Sequence, residues 1–278
     1  MTSEPELTQP SAPQTASPVP DQPSAPRGLA PWWHTAVLVL AILALSYRGS
    51  TRIAGYAQSP RHLWMYGSTI VVQLVMLGWV ALGLWLGKTP FRTLFGRVGK
   101  GAKALFIDIG IAMVFWIFSM TALGTINIVW FSVDAAVHHR PLISSDGHSV
   151  LNDPERRADA QRIAALAPSN GMEVGGWILL CTVVGFVEET VFRGYLQRQF
   201  TAWGRGKAAW GVVFSALVFG AAHGYEGLHT MVLLAVYGAL FSLLALLRGS
   251  LRSCMIAHGW HDLFSGLMLA LLRSQHLL

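Results

Sequence analysis

Charge is what this sequence has least of. Of 278 residues, 20 are Lys or Arg and 14 are Asp or Glu, which is 12%, against about 25% in an average soluble domain. Hydrophobic residues make up 53%. These figures exclude a wholly disordered chain and disfavour an ordinary soluble enzyme. Cysteine is nearly as scarce. Cys181 and Cys254 are the only two, both fall in apolar stretches, and neither belongs to a CxxC or Cys/His cluster. A disulfide framework is therefore not expected, and small buried side chains are. The net charge of +6 does not indicate a nucleic-acid partner. The cations sit in short segments between apolar runs, as topology signals do.

What is present is long apolar runs. Residues 32–47, 63–87, 174–187, 208–222 and 227–247 hold no Asp, Glu, Lys or Arg, while 104–133 and 253–272 hold one each, Asp108 and Asp262. Several approach the ~20 apolar residues a helix needs to cross a bilayer. The alternating ~10-residue segments of a membrane β-barrel are absent. The expected fold class is all-α: a polytopic transmembrane helical bundle of about seven to eight helices with a disordered N-terminal tail. Membrane helices are expected near 32–47, 63–87, 104–131, 174–199, 208–224, 228–247 and 253–272. Tryptophans fall near several of these ends, as interfacial aromatics do. Trp79 and Trp116 lie mid-segment and are expected to be packing residues.

The chain divides into a Pro-rich tail over 1–31, N-terminal membrane helices over 32–131, an extramembrane loop over 132–173, a membrane core over 174–272 and a tail over 273–278. The loop contains Asp153-Pro154-Glu155, a plausible helix start, so a short surface helix is expected there. No secretory signal pattern opens the chain. Counting Lys and Arg between helices favours a cytoplasmic N-terminus by a modest margin.

Charges at bilayer depth cost several kcal/mol unless paired or hydrated, which makes them functional candidates. Asp108 lies about one turn into its helix and reads as an interfacial residue. Glu188, Glu189, Arg193 and Asp262 are deeper. On an α-helix Glu189 and Arg193 are i,i+4 neighbours and can pair, while Glu188 turns about 100° away. One carboxylate is thereby neutralised and the other left to act. Phe219 and His223 share a face, as do His258 and Asp262; His261 is a further imidazole. Two carboxylates and two or three imidazoles suit hydrolysis: Glu188 takes a proton from water, His223 orients that water or carries the proton, and His258 with a partner stabilises an oxyanion. The same side chains would suit a divalent metal such as zinc, with Glu188, His223 and His258 as ligands. The HExxH helix of zinc proteases is absent. A non-enzymatic membrane scaffold or immunity-type protein, and a transporter or proton relay, are alternative readings of the same buried groups.

In order, Glu188-Glu189-Thr-Val-Phe-Arg193, Phe219-Gly-Ala-Ala-His223 and His258-Gly-Trp-His-Asp262 resemble the CAAX protease and bacteriocin-processing family, which includes the Ras-converting CAAX endopeptidases. The resemblance covers about 174–272. It implies an integral membrane endopeptidase acting on a membrane-associated protein or peptide, prenylated or not, in the lipid bilayer of what is expected to be a bacterial inner membrane. By that resemblance Glu188 activates water, Glu189 and Arg193 support it, and His223 and His258 are catalytic. The family's last position is Asn in CAAX-processing members and Asp262 here, which puts a CAAX substrate in doubt. An ionised Asp cannot donate to an oxyanion as an Asn amide does. Counted from the expected helix ends, Glu188, His258 and His223 lie at roughly 15, 9 and 24 Å, a mismatch that helix tilt or different helix ends would have to remove.

Overall fold

The computed structural model describes residues 28–58, 61–139, 161 and 163–275. Residues 1–27 of the expected tail and the Asp153-Pro154-Glu155 helix start lie outside the described residues. Among the described residues seven α-helical segments form the bundle: α1 (Trp32–Gln58), α2 (His62–Leu86), α3 (Gly101–Val137), α4 (Gly171–Trp203), α5 (Ala208–Ala222), α6 (Leu228–Arg248) and α7 (Arg252–Ser274). There is no strand among the described residues; one isolated bridge joins Gly96 and Ser250. All seven expected helices are present. Four of them, α2, α3, α4 and α6, are long and apolar enough to cross a membrane. α1 runs well past its expected end at 47.

The helices are apolar nearly all round, as helices immersed in lipid or core are. Large apolar side chains on α3 such as Phe106, Val114 and Ile117 remain exposed, the surface a bilayer would cover. Local chemistry sets the ends. The Asn170 side chain caps α4 by accepting the Glu173 N–H at 3.0 Å. α6 stops at Gly249, whose φ of 58° is left-handed. The Gly249 carbonyl then accepts the Arg97 N–H at 2.8 Å, and the Phe95 carbonyl accepts the Leu251 N–H at 3.1 Å. These bonds clasp the α2–α3 connection to the α6–α7 turn.

One end of the bundle, here called the basic end, carries Lys88, Arg92, Arg97, Lys100, Arg198, Arg205, Lys207, Arg248 and Arg252. Residues 28–30 dock there: the Gln199 side chain accepts the Leu29 N–H and donates to the Ala30 carbonyl at 2.7 Å. The opposite end is closed by residues 163–168. Arg273 donates to the Ala164, Ala167 and Pro168 carbonyls, Tyr66 donates to the Leu166 carbonyl, and His62 bridges Glu173 and the Ala165 carbonyl.

Asp108 is buried near the basic end, and its carboxylate ties three helices together: Arg248 donates from α6 at 2.9 Å, and Ser253 at 2.8 Å and Arg252 both donate from α7. Removing the carboxylate strands two guanidinium groups that are only partly exposed. Asp108→Ala is expected to destabilise by about 2–3 kcal/mol, checked by thermal unfolding in detergent.

Two apolar clusters flank the centre. One joins Leu38, Leu84, Val187, Val191, Tyr195 and Phe219; the other joins Ala112, Tyr237, Phe241, Cys254 and Ala257. Both cysteines are buried and unbonded. Trp79 stacks on His34 with centroids 4.6 Å apart, and Trp116 packs on Trp260 and Phe264, so both mid-segment tryptophans are packing residues.

Candidate active site

The site lies between those clusters, where α2, α4, α5 and α7 meet. α4 does not stay α-helical through its acidic motif. From Glu189 to Leu196 it is a π-helix, a form that recurs at functional sites. Side chains from other helices hold this segment. Ser215 donates to the Phe192 carbonyl at 2.7 Å, and the Tyr195 hydroxyl is held by Thr35 at 2.8 Å and His34 at 3.0 Å. Every residue from Glu189 to Leu196 is buried.

Arg193 donates to Glu189 Oε1 at 2.8 Å, and both side chains are fully buried, so the expected pair is present. The guanidinium carbon also sits 4.3 Å from the Phe219 ring centroid and 4.9 Å from that of Phe241, an arrangement that disperses its charge over aromatic faces. Glu188 and Glu189 turn different ways, yet both reach one imidazole. His258 Nδ1 lies 2.7 Å from Glu189 Oε1. Its Nε2 faces Glu188 Oε2 and Asp262 Oδ2, each at 3.7 Å. A carboxylate on Nδ1 fixes the ring's orientation, as second partners of imidazoles do. Nε2 is thus the atom turned towards the remaining two acids, at distances a bridging water spans.

His223 ends α5. Its Nδ1 donates to the Phe219 carbonyl at 2.9 Å, since a carbonyl only accepts. In the neutral ring Nε2 therefore carries the lone pair. The Phe219 ring packs near both imidazoles, 4.9 Å from His223 and 6.1 Å from His258. His223 interacts electrostatically with Asp262, but no hydrogen bond or ion pair joins it to Glu188 among the described residues. His261 points elsewhere: it accepts from Trp116 Nε1 at 3.3 Å and packs on Tyr237.

The expected metal triad is not assembled. Among the described residues no group of three or more His, Cys, Asp or Glu is arranged to hold a metal ion. The Nδ1 bonds of His258 and His223 leave Nε2 as the free nitrogen of each ring, but Glu188, His223 and His258 are not gathered as one ligand set among the described residues, so as placed they do not fit a metal ion.

The depth mismatch disappears once the helix ends are known. α4 continues to Trp203, placing Glu188 15 residues from the basic end; α5 starts at Ala208, placing His223 15 residues in. Both are roughly 22 Å deep at 1.5 Å per residue. α7 is recessed: the Gly96–Ser250 bridge and the contact of Leu94 with Gly194 set its start partway up α4. His258 then reaches the same layer.

Two contributors were not foreseen. Gln73 on α2 donates its Nε2 to Glu188 Oε1 at 2.7 Å. Glu226, in the turn after His223, is an electrostatic neighbour of both His223 and Glu188. Gln73 is the one polar residue in the middle of the apolar run 70–86, and that isolation was its only signal.

Residues 170–264 match the family model described as Rce1-like, type II CAAX prenyl endopeptidase Rce1-like. That segment is similar to the Rce1-like family. The matched segment contains Glu188, Glu189, Arg193, His223, His258 and Asp262, and ends within α7. No curated protein and no solved structure matches the chain significantly. With four helices apolar and long enough to span, this is an integral membrane protein, and its residues 170–264 are similar to a family of endopeptidases.

Proposed function

We propose that this protein is a membrane-embedded endopeptidase that hydrolyses a peptide bond in a membrane-associated protein or peptide, with Glu188 as the base. The observation that carries this reading is the His258 ring. It is anchored by Glu189 on one nitrogen and presents the other to Glu188 and Asp262. Side chains from two helices thus define one small polar zone inside an apolar bundle.

A water held between Glu188 Oε2 and His258 Nε2 gives its proton to Glu188 as its oxygen attacks the scissile carbonyl carbon. The carbonyl oxygen becomes an oxyanion. Protonated His258 donates to it from Nε2, because Nδ1 is already committed to Glu189. As the C–N bond breaks, the proton on Glu188 passes to the leaving nitrogen, which restores the carboxylate. Asp262 faces the same imidazole nitrogen and orients the ring from its other side. His223, with Nε2 as acceptor, lies near Asp262 and takes up the departing amine's hydrogen bond. The basic end is the cytosolic one in this reading, following the distribution of Lys and Arg. The Cys-aliphatic-aliphatic-X terminus named in the family's description is the first substrate to test.

The experiment is cleavage of an internally quenched peptide with a farnesylated Cys-aliphatic-aliphatic-X terminus by purified protein in liposomes. Glu188→Gln is nearly isosteric and removes the base. It is expected to lower kcat by at least about 10²-fold. A Glu188→Gln protein that cleaves as fast as wild type rules out the assigned base.

A further inference from the structure

An amide in the middle of a membrane-spanning helix is costly. Burying it costs about 1–3 kcal/mol unless its hydrogen bonds are made. Gln73 is buried, 6% exposed, near the centre of α2. One half of the amide is satisfied, by the 2.7 Å bond to Glu188 Oε1. The other half, Oε1, is buried and has no partner among the described residues. The orientation of the amide is fixed by chemistry: its oxygen turned towards a carboxylate would set two acceptors against each other. An apolar side chain would fill the same space at lower cost. What the amide supplies is its bond to Glu188.

We propose that Gln73 is a positioning residue for hydrolysis: it caps Glu188 Oε1 and thereby makes Oε2 the oxygen that takes the proton. The proposal rests on Glu188 being the base. The terminal torsion of a glutamate is broad and roughly two-fold, so an unrestrained Glu188 offers either oxygen in many orientations. With Oε1 capped, Oε2 is held 3.7 Å from His258 Nε2. Oε2 is itself buried and without a hydrogen-bond partner among the described residues. The capped and uncapped oxygens therefore divide the work.

The two neighbouring acids are treated differently. Glu189 meets a guanidinium and an imidazole. Glu188 meets a neutral amide at Oε1 and faces the His258 imidazole only at Oε2, at 3.7 Å. A second cation, in the place of Gln73, would hold Glu188 in the charged form and oppose proton uptake. An amide orients the carboxylate without adding charge, which is what a proton acceptor that turns over requires. α2 thereby contributes to a site whose other members come from α4, α5 and α7.

The test compares kcat and KM of wild type, Gln73→Leu, Gln73→Glu and Glu188→Gln on the farnesylated quenched peptide in liposomes. Gln73→Leu keeps the volume and favours burial, so folding is retained, as monodispersity and thermal unfolding will report. It is expected to lower kcat by about 10²-fold, the cost of misplacing a reacting group by about 1 Å, with KM unchanged. Gln73→Glu keeps the shape; its carboxyl donates to Glu188 while protonated and sets acceptor against acceptor once ionised. Its kcat is expected to fall as pH rises relative to wild type, which a space-filling role would not produce. Wild-type kcat in Gln73→Leu, or a wild-type pH profile in Gln73→Glu, with Glu188→Gln inactive, overturns the proposal and leaves Glu188 as the base. A raised KM at unchanged kcat also overturns it, since Gln73 would then act on substrate binding. Equal rates in wild type and Glu188→Gln remove the base assignment and the proposal with it.

Discussion

Arg193→Met is expected to be among the most destabilising single substitutions in this protein, by about 3–5 kcal/mol. Arg193 and Glu189 are both without solvent contact. The substitution leaves a carboxylate inside the bundle whose remaining partner is His258. It also removes the cation seated 4.3 Å from the Phe219 ring and the donor to the Gly238 carbonyl at 3.3 Å. The double variant Glu189→Leu, Arg193→Met separates charge burial from function. Replacing a buried ion pair by apolar side chains of similar size is often neutral or stabilising, so the double variant is expected to recover most of the lost stability. It is not expected to recover activity. His258 Nδ1 has then lost its anchor at 2.7 Å, and the ring no longer presents Nε2 to Glu188. Thermal unfolding in detergent and cleavage in liposomes read the two quantities apart. A double variant as unstable as Arg193→Met means that the pair is not what the segment depends on. A double variant with wild-type turnover means that Glu189 does not position His258.

That pair was the part of the site most legible in the sequence. An i,i+4 spacing of opposite charges in an apolar run has one inexpensive arrangement, and the chain adopts it. The seven helices were legible for a similar reason: charge-free runs in a charge-poor chain leave few alternatives. Helix bounds were less so, because they depend on tertiary partners. α7 starts recessed only because residues 95–97 pair with 249–251, which no local signal announces. The π-helix from Glu189 to Leu196 was also hidden. Its supports, His34, Thr35 and Ser215, come from α1 and α5. Gln73 was invisible as a functional residue because its meaning depends on which face of α2 meets α4. The partners of Asp108 were hidden for the same reason: Arg248 and Arg252 arrive from segments 140 or more residues away. Periodicity and scarcity of charge fix elements and candidates; the partners of a buried polar atom are fixed by which helices touch.

The contact that brings the two halves of the site together is a glycine on a glycine. Gly185 on α4 faces Gly259 on α7 so closely that a Cβ on Gly185 would stand 2.8 Å from the Gly259 nitrogen, 3.1 Å from its Cα and 3.2 Å from the Met255 carbonyl oxygen. All three are backbone atoms, so no rotamer change relieves the clash. Small residues allow this close approach in membrane bundles. Gly185 stands one turn before Glu188 and Glu189; Gly259 is next to His258. Gly185→Val is therefore expected to push α4 and α7 apart at the layer where their side chains meet. Overpacking of this kind costs about 1–3 kcal/mol. The larger effect falls on turnover, because the 2.7 Å bond of His258 to Glu189 and the 3.7 Å approach to Glu188 both span that interface. A shift of about 1 Å is expected to lower kcat by about 10²-fold. Gly175→Ala is the control: it lies on the same helix, and a Cβ there meets nothing within 4 Å. It is expected to leave turnover unchanged and to stabilise the helix slightly, by up to about 1 kcal/mol. Equal turnover in Gly185→Val and Gly175→Ala would show that the α4–α7 spacing does not set the distance across which the acids and His258 act.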